Sequence, residues 1–192
     1  RAYLETGRSD LAESEMIAIR SEAESLGYLT HLTYTLSGLA AIAVERGRWA
    51  EVSSYAKQAS ELAERLGSEL VLGHTLSLLC TSEFRQVDQG GDLRLLNDAV
   101  AHGERSIEVL ARLPPSDSLV MAHGYLSEVY LHRKELPKAI EQYEQAVGLA
   151  DKLGLGSLKA RLVEELAGKL QVKRIARGVD ARLPPAPEGG GS

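Results

Sequence analysis

The residues that could carry chemistry are five histidines (His31, His74, His102, His123, His132), one cysteine (Cys80) and adjacent acids such as Glu164 and Glu165. A metal centre needs His, Cys, Asp or Glu clustered at short spacing, and neither a His-Glu-x-x-His segment nor a Cys-x-x-Cys pair occurs. His123 and His132 are nine residues apart, which at about 100° per residue turns them to opposite sides of a helix. A single cysteine excludes an intrachain disulfide and a cysteine-rich zinc site. Gly90-Gly91 has no Gly-Lys-Ser after it and no strand pattern before it, which excludes a phosphate loop. Adjacent carboxylates on a helix face serve solubility more readily than proton transfer. No catalytic, cofactor or metal constellation follows, and the expectation is a protein that is not an enzyme and holds no cofactor.

The elements that position these residues follow from composition and periodicity. The 192 residues are 44% hydrophobic and 26% charged, with a net charge of −5, which suits a water-soluble domain or short repeat array. The longest apolar stretch, Leu36 to Val44, is interrupted by Ser37 and Gly38 and falls far short of the ~20 residues a membrane span needs. The chain starts at Arg1 without a charged-then-apolar leader, so the reading is a cytoplasmic fragment of something longer.

A repeat dominates the rest. Ala23-Glu24-Ser25-Leu26-Gly27, Ala63-Glu64-Arg65-Leu66-Gly67 and Ala150-Asp151-Lys152-Leu153-Gly154 share one pattern, and a further copy ends at Leu110 to Leu113, where Pro114 replaces the glycine. Four stripes precede these endings: Ala12, Met16, Ile19, Ala23, Leu26; then Val52, Ala56, Ala59, Ala63, Leu66; then Ala99, Gly103, Ser106, Leu110, Leu113; then Ala139, Tyr143, Ala146, Ala150, Leu153. Each steps by 4, 3, 4, 3, the signature of one face of an amphipathic helix, and successive stripes are offset by 40, 47 and 40 residues. Small residues at a helix contact let a neighbouring axis come close, so the stripes predict a packing seam.

A second periodic segment precedes each stripe: Leu36, Leu39, Ala40, then Leu76, Leu79, Cys80, then Leu126, Ser127 with Tyr130, then Val163, Leu166, Ala167, Leu170. The unit is a helical hairpin. Cys80 aligns with Ala40 and Ser127, which predicts a small buried residue rather than a nucleophile, and Trp49 aligns with Leu136 in a core position. Glycines 7, 27, 47, 67 and 154 mark left-handed helix ends, Asp10 with Glu13 reads as a capping box, Pro137 fits a first helical turn, and Ser116 or Asp117 caps the helix after Pro114-Pro115. The spacing predicts helices over 9–26, 29–46, 48–66, 69–87, 95–113, 117–133, 135–153 and 157–177.

Small and aromatic residues at Leu126-Ser127, Tyr130, Ala139, Tyr143 and Ala146, with Gly47-Arg48-Trp49 and Ala59 at an inter-helix turn, resemble the tetratricopeptide repeat (TPR) family over residues 1–177. The period of 40 rather than 34 is similar to the longer repeats of MalT-like activators, signalling ATPases and kinesin light chains. The third unit carries seven extra residues, placed at Val87 to Asp92, and the first unit keeps at most Arg1 to Glu5 of its first helix. The resemblance implies an all-α, right-handed α-solenoid of about four antiparallel hairpins plus a C-terminal capping helix over residues 1–178. Residues 179–192, rich in Pro and Gly, read as a tail or linker.

In such an array the first helix of each hairpin lines a concave groove. Projecting the helix period places Tyr34, Ser37, Ala41 and Glu45 there, then His74, Ser77, Thr81 and Arg85, then Met121, Gly124, Tyr125, Glu128 and His132, then Arg161, Glu164 and Gly168. A surface of this mixture suits an extended peptide or partner helix. The resemblance thus implies a noncatalytic protein- or peptide-binding scaffold module of a multidomain bacterial signalling or transcriptional regulator. The alternative is a sensor of a small molecule or pheromone peptide, for which Met121, Tyr125 and Phe84 are the candidate contacts. The positions that would clamp a C-terminal carboxylate are mainly Ser, Ala, Thr and Glu, which argues against a chaperone-type clamp.

Residues 155 to 182 hold seven basic and three acidic side chains, a balance of +4 that leaves −9 for the remainder. The basic end could meet an acidic neighbour, whereas the acidic bulk disfavours nucleic acid. The incomplete first unit exposes an apolar end, which makes self-association an expectation.

Overall fold

The computed structural model describes residues 9–170, and the expected helix end at Gly7 and the expected tail from residue 179 lie outside them. Among the described residues seven long helices follow one another: α1 (Ser9–Leu26), α2 (Leu29–Glu45), α3 (Trp49–Leu66), α4 (Glu69–Asp88), α5 (Leu95–Leu110), α6 (Asp117–His132) and α7 (Leu136–Lys152). A short α8 (Gly156–Leu162) then runs into a π turn, Val163–Ala167. Among the described residues there is no strand and no helix long and apolar enough to cross a membrane.

Successive helices pack in antiparallel pairs, and α2, α4 and α6 also lie side by side. That contact pattern is an all-α solenoid with α2, α4 and α6 along its inner side. The seam is buried as expected: Val52, Ala56, Ala59 and Ala63 of α3, Ala99 and Ser106 of α5, and Ala139 and Ala146 of α7 are inaccessible to water. Close approach is real at Gly103, where an added Cβ would stand 2.9 Å from Leu126 Cδ1 and 3.0 Å from Cys80 Sγ. Ser106 Oγ donates to the Gly73 carbonyl at 2.6 Å, and Ser127 Oγ to the Ala139 carbonyl at 2.7 Å, so the small polar seam residues tie helix to helix.

One turn geometry recurs. Tyr28 N–H donates to Ala23 O at 2.9 Å, and the same bond is made by Arg48 to Ala43, Ser68 to Ala63, Glu135 to Tyr130 and Leu155 to Ala150. Gly27, Gly47, Gly67 and Gly154 supply the left-handed residue with φ of 65 to 68°, and Lys134, φ 63°, occupies the position without being glycine. Ser116 caps α6 by accepting from the Leu119 N–H, and Pro137 lies in the first turn of α7.

Several expectations are corrected. Leu26 and Leu66, the last residues of α1 and α3, and Leu153, which follows the end of α7, lie exposed at the ends of their stripes. The Asp10–Glu13 capping box is not formed; both carboxylates lie inside α1 and pair with Arg46, and Glu13 also pairs with Arg48, at the α2–α3 turn. The seven extra residues of the third unit are shared between helix and loop, with α4 running through Asp88 before the chain turns at Gly90. Helix α5 ends at Leu110, three residues before the expected end.

Candidate functional site

The inner side of α2, α4 and α6 opens into a concave cavity of about 470 Å³. Ala41 and Glu45 enter it from α2, His74, Ser77, Thr81 and Arg85 from α4, and Met121 and Tyr125 from α6. Arg161 and Glu165 close the far side. The period places these side chains in ladders: Tyr34, His74, Met121 and Arg161 are equivalent residues of successive first helices, as are Glu45, Arg85 and His132.

The residues differ in what they can offer. Ser77 and Thr81 are buried floor residues, and the Ser77 hydroxyl donates back to the His74 carbonyl at 2.7 Å. Arg161 lies open and its Nη2 donates to Met121 Sδ at 3.1 Å, its equivalent one repeat earlier. Burial pushes the Tyr125 phenol up to about 12, partly countered by the Arg161 charge, so it is a neutral hydrogen-bonding group throughout the physiological range. Arg85 Nη2 donates to Glu128 Oε2 at 2.8 Å and its guanidinium lies 5.1 Å from the Phe84 ring centre.

The remaining expected groove residues are placed elsewhere. Tyr34 is 54% exposed outside the cavity, and Ser37 is buried in α2. Glu128 is buried between Arg85 and Lys169, the latter 3.9 Å away, and burial raises its pKa against both charges. His132 sits exposed at the edge, its ring 5.5 Å from that of Phe84. Phe84 itself is buried beside Cys80, Ala99 and Val129 and is no contact for a small molecule. Glu164 and Gly168 are exposed beyond the cavity rim. Cys80 is wholly buried and its thiol pushed far up by desolvation, as its packing alignment predicts. Trp49 is half-buried: it packs against the cluster around Ala40 and Val52 and also walls the cavity.

A second cleft of about 490 Å³ lies on the outer side, over α4 between α3 and α5. Here Glu83 Oε2 and His102 Nδ1 are 2.8 Å apart, with burial raising the Glu83 pKa and His102 opposing it. Beside them Ser53 and Ser82 share a hydrogen bond of 2.8 Å, Gln86 Nε2 donates to Ser53 Oγ at 2.9 Å, and Ser82 Oγ donates to the Trp49 carbonyl. Sequence reasoning missed this network because its members come from three helices, and no local spacing signals it. Among the described residues no group of three or more His, Cys, Asp or Glu is arranged to hold a metal.

No protein-family profile matches the chain, and no curated protein matches it by sequence. Solved structures do match. BtubC (BKLC) from P. vanneervenii superposes with a TM-score of 0.59 at 18% identity, over 89% of this chain and 73% of that one. A kinesin light chain-like protein of Podosopora anserina with nearly identical TPR-like repeats gives a TM-score of 0.54 at 16% identity, over 92% of each chain. A point variant of that protein gives the same score over 94% of this chain and 93% of its own. At these identities the likeness establishes the fold: the chain is an α-solenoid of TPR-like repeats.

Proposed function

We propose that the chain is a noncatalytic scaffold module that holds a protein segment or peptide in the groove of α2, α4 and α6, within a multidomain bacterial signalling or transcriptional regulator of the cytoplasm. The observation that supports it most is the ladder of unlike side chains across adjacent helices: Glu45 and Arg161 exposed at the sides, His74, Met121 and Tyr125 half-buried between them. Alternating pockets and charges along a shared surface read an extended chain. The long repeat of the MalT-like and signalling-ATPase proteins fits this reading, as does the Pro- and Gly-rich composition of residues 179–192.

Selection of peptides from a displayed random library on the full chain, followed by titration of the winners, tests it. Glu45→Arg and Arg161→Glu should each weaken binding about tenfold or more with helical content unchanged, while Gln145→Glu on the outer side should not. Equal affinity for all variants overturns the groove assignment. The cavity volume also falls within the range for small ligands, so the second reading is a metabolite or pheromone sensor. A metabolite that raises Tm in the wild type but not in Arg161→Glu would favour it.

A further inference from the structure

Position by position, the outer cleft over α4 corresponds to a place over α6 that the protein fills with its own side chain. Glu83 stands where Tyr130 stands one repeat on, Lys57 where Glu104 does, and Asp98 where Lys138 does. Over α6 the space between α5 and α7 is occupied from within: Tyr130 is 3% exposed, its hydroxyl donates to Glu104 at 2.5 Å, and Lys138 Nζ lies 4.9 Å from the ring centre. One ring thus stands between an anion on the earlier wall and a cation on the later one. Over α4 the shorter Glu83 side chain stops at His102 Nδ1, 2.8 Å away, and the cleft of about 490 Å³ stays open.

Its two walls carry the opposite charges to those around Tyr130. Lys57 on α3 and Asp98 on α5 are exposed, both line the cleft, and neither is ion-paired among the described residues. They are 41 residues apart in the chain, as are Glu64 and Arg105, which bridge α3 to α5 two turns further along. The floor between the walls is apolar, with Leu76 and Leu79 buried. Burial and the nearby Asp98 hold the Glu83 pKa up against the opposing effect of His102, so two carboxylates crowd the α5 wall with one imidazole to share. A cation placed there relieves both. Glu61, one turn from Lys57, is the remaining charged group of the lining and disfavours a ligand with more than one carboxylate.

The complement of this surface is as long as a tyrosine ring with its hydroxyl, apolar along its body, anionic toward Lys57 and cationic toward Asp98. We propose that the outer cleft binds a small zwitterion, with its carboxylate on Lys57, its ammonium between Asp98 and Glu83, and its apolar body on Leu76 and Leu79. The cleft lies on the opposite side of α4 from the groove, and its occupation requires no peptide there.

Isothermal titration of the full chain with 6-aminohexanoate at physiological salt tests this, with hexylamine and hexanoate as probes that keep one charge each. The zwitterion should bind with a Kd below about 10 mM, and each one-charge probe about tenfold or more weaker. Lys57→Gln and Asp98→Asn should each weaken the zwitterion about tenfold, whereas Glu144→Gln, an exposed acid on α7, should leave it unchanged. Glu83→Tyr, which places in the cleft the side chain found over α6, should abolish binding. If that variant loses its helical circular dichroism, Lys57→Gln and Asp98→Asn, which alter only exposed side chains, decide the matter. The dipeptide alanyl-leucine, with both termini free, is titrated alongside; binding by either zwitterion supports the site, and the tighter one tells an amino acid from a short peptide as its source. No binding by either, one-charge probes that bind as well, or a Kd unchanged in Lys57→Gln and Asp98→Asn overturns the proposal.

Discussion

Arg85 on α4 and Glu128 on α6 meet at 2.8 Å across two adjacent first helices, with Glu128 buried and Arg85 half-exposed at the groove edge. The pair joins the third hairpin to the fourth through charge where the seam joins them through small side chains. Removing the cation leaves a buried carboxylate with only Lys169 at 3.9 Å to compensate. Arg85→Ala should therefore destabilise by about 2–4 kcal/mol, while Arg85→Ala with Glu128→Gln should recover much of that loss. Urea melts of the single and double variants measure the difference.

Glu83 and Glu128 both have pKa values raised, in each case chiefly by burial. A carboxylate with a raised folded-state pKa binds protons more tightly folded than unfolded. Its contribution is fully present below the ordinary carboxylate range and is lost as pH rises through the folded value. Glu83→Gln with Glu128→Gln should therefore gain stability relative to the wild type as pH rises from about 4.5 toward 7, with the gap narrowing at the acid end. Tm measured across that range checks the sign; a gap that widens on acidification would refute it.

Ala146 is inaccessible within the α7 seam. Ala146→Arg should overpack the contact and bury an unpaired charge, costing about 3–5 kcal/mol or preventing folding, whereas the outward Gln145→Ala should stay within about 0.5 kcal/mol. Lys138, on the same helix, would be a poorer control, since it pairs with Glu135 and lies 4.9 Å from the centre of the Tyr130 ring. Thermal melts of both variants compare the two faces.

Gly73 faces Leu110 so closely that an added Cβ would stand 2.5 Å from Leu110 Cγ. Gly73→Ala should cost about 1–3 kcal/mol despite the better helix propensity of alanine, and Leu110→Ala in that background should relieve the clash at the expense of a smaller core. A denaturant series on the three proteins tests the coupling.

Lys134 holds φ 63° at the turn position that Gly27, Gly47, Gly67 and Gly154 fill elsewhere. Lys134→Gly removes the Cβ strain of about 1 kcal/mol and should raise Tm, less the chain entropy glycine adds to the unfolded state. The same change at exposed Lys57, inside α3, should lower stability by about 1 kcal/mol.

The hairpin repeat, the helix bounds within a few residues and the burial of Ala59, Ala146 and Cys80 were legible from the sequence. They depend on local periodicity and on the glycines of positive φ at the turns after α1, α2, α3 and α7. The choice of α2, α4 and α6 as the inner row came through resemblance, and their side-by-side packing agrees with it. Only the tertiary structure decided which projected groove residues are open. Helical projection assigns directions but not depth, so it could not separate Arg161, open on the surface, from Glu128, enclosed between α4 and α6 and paired with Arg85. The same holds for Glu83 with His102, and for Asp10 and Glu13 turning from a cap toward Arg46: the partners come from helices that only packing brings together, and long charged side chains pair with whatever cation that packing presents.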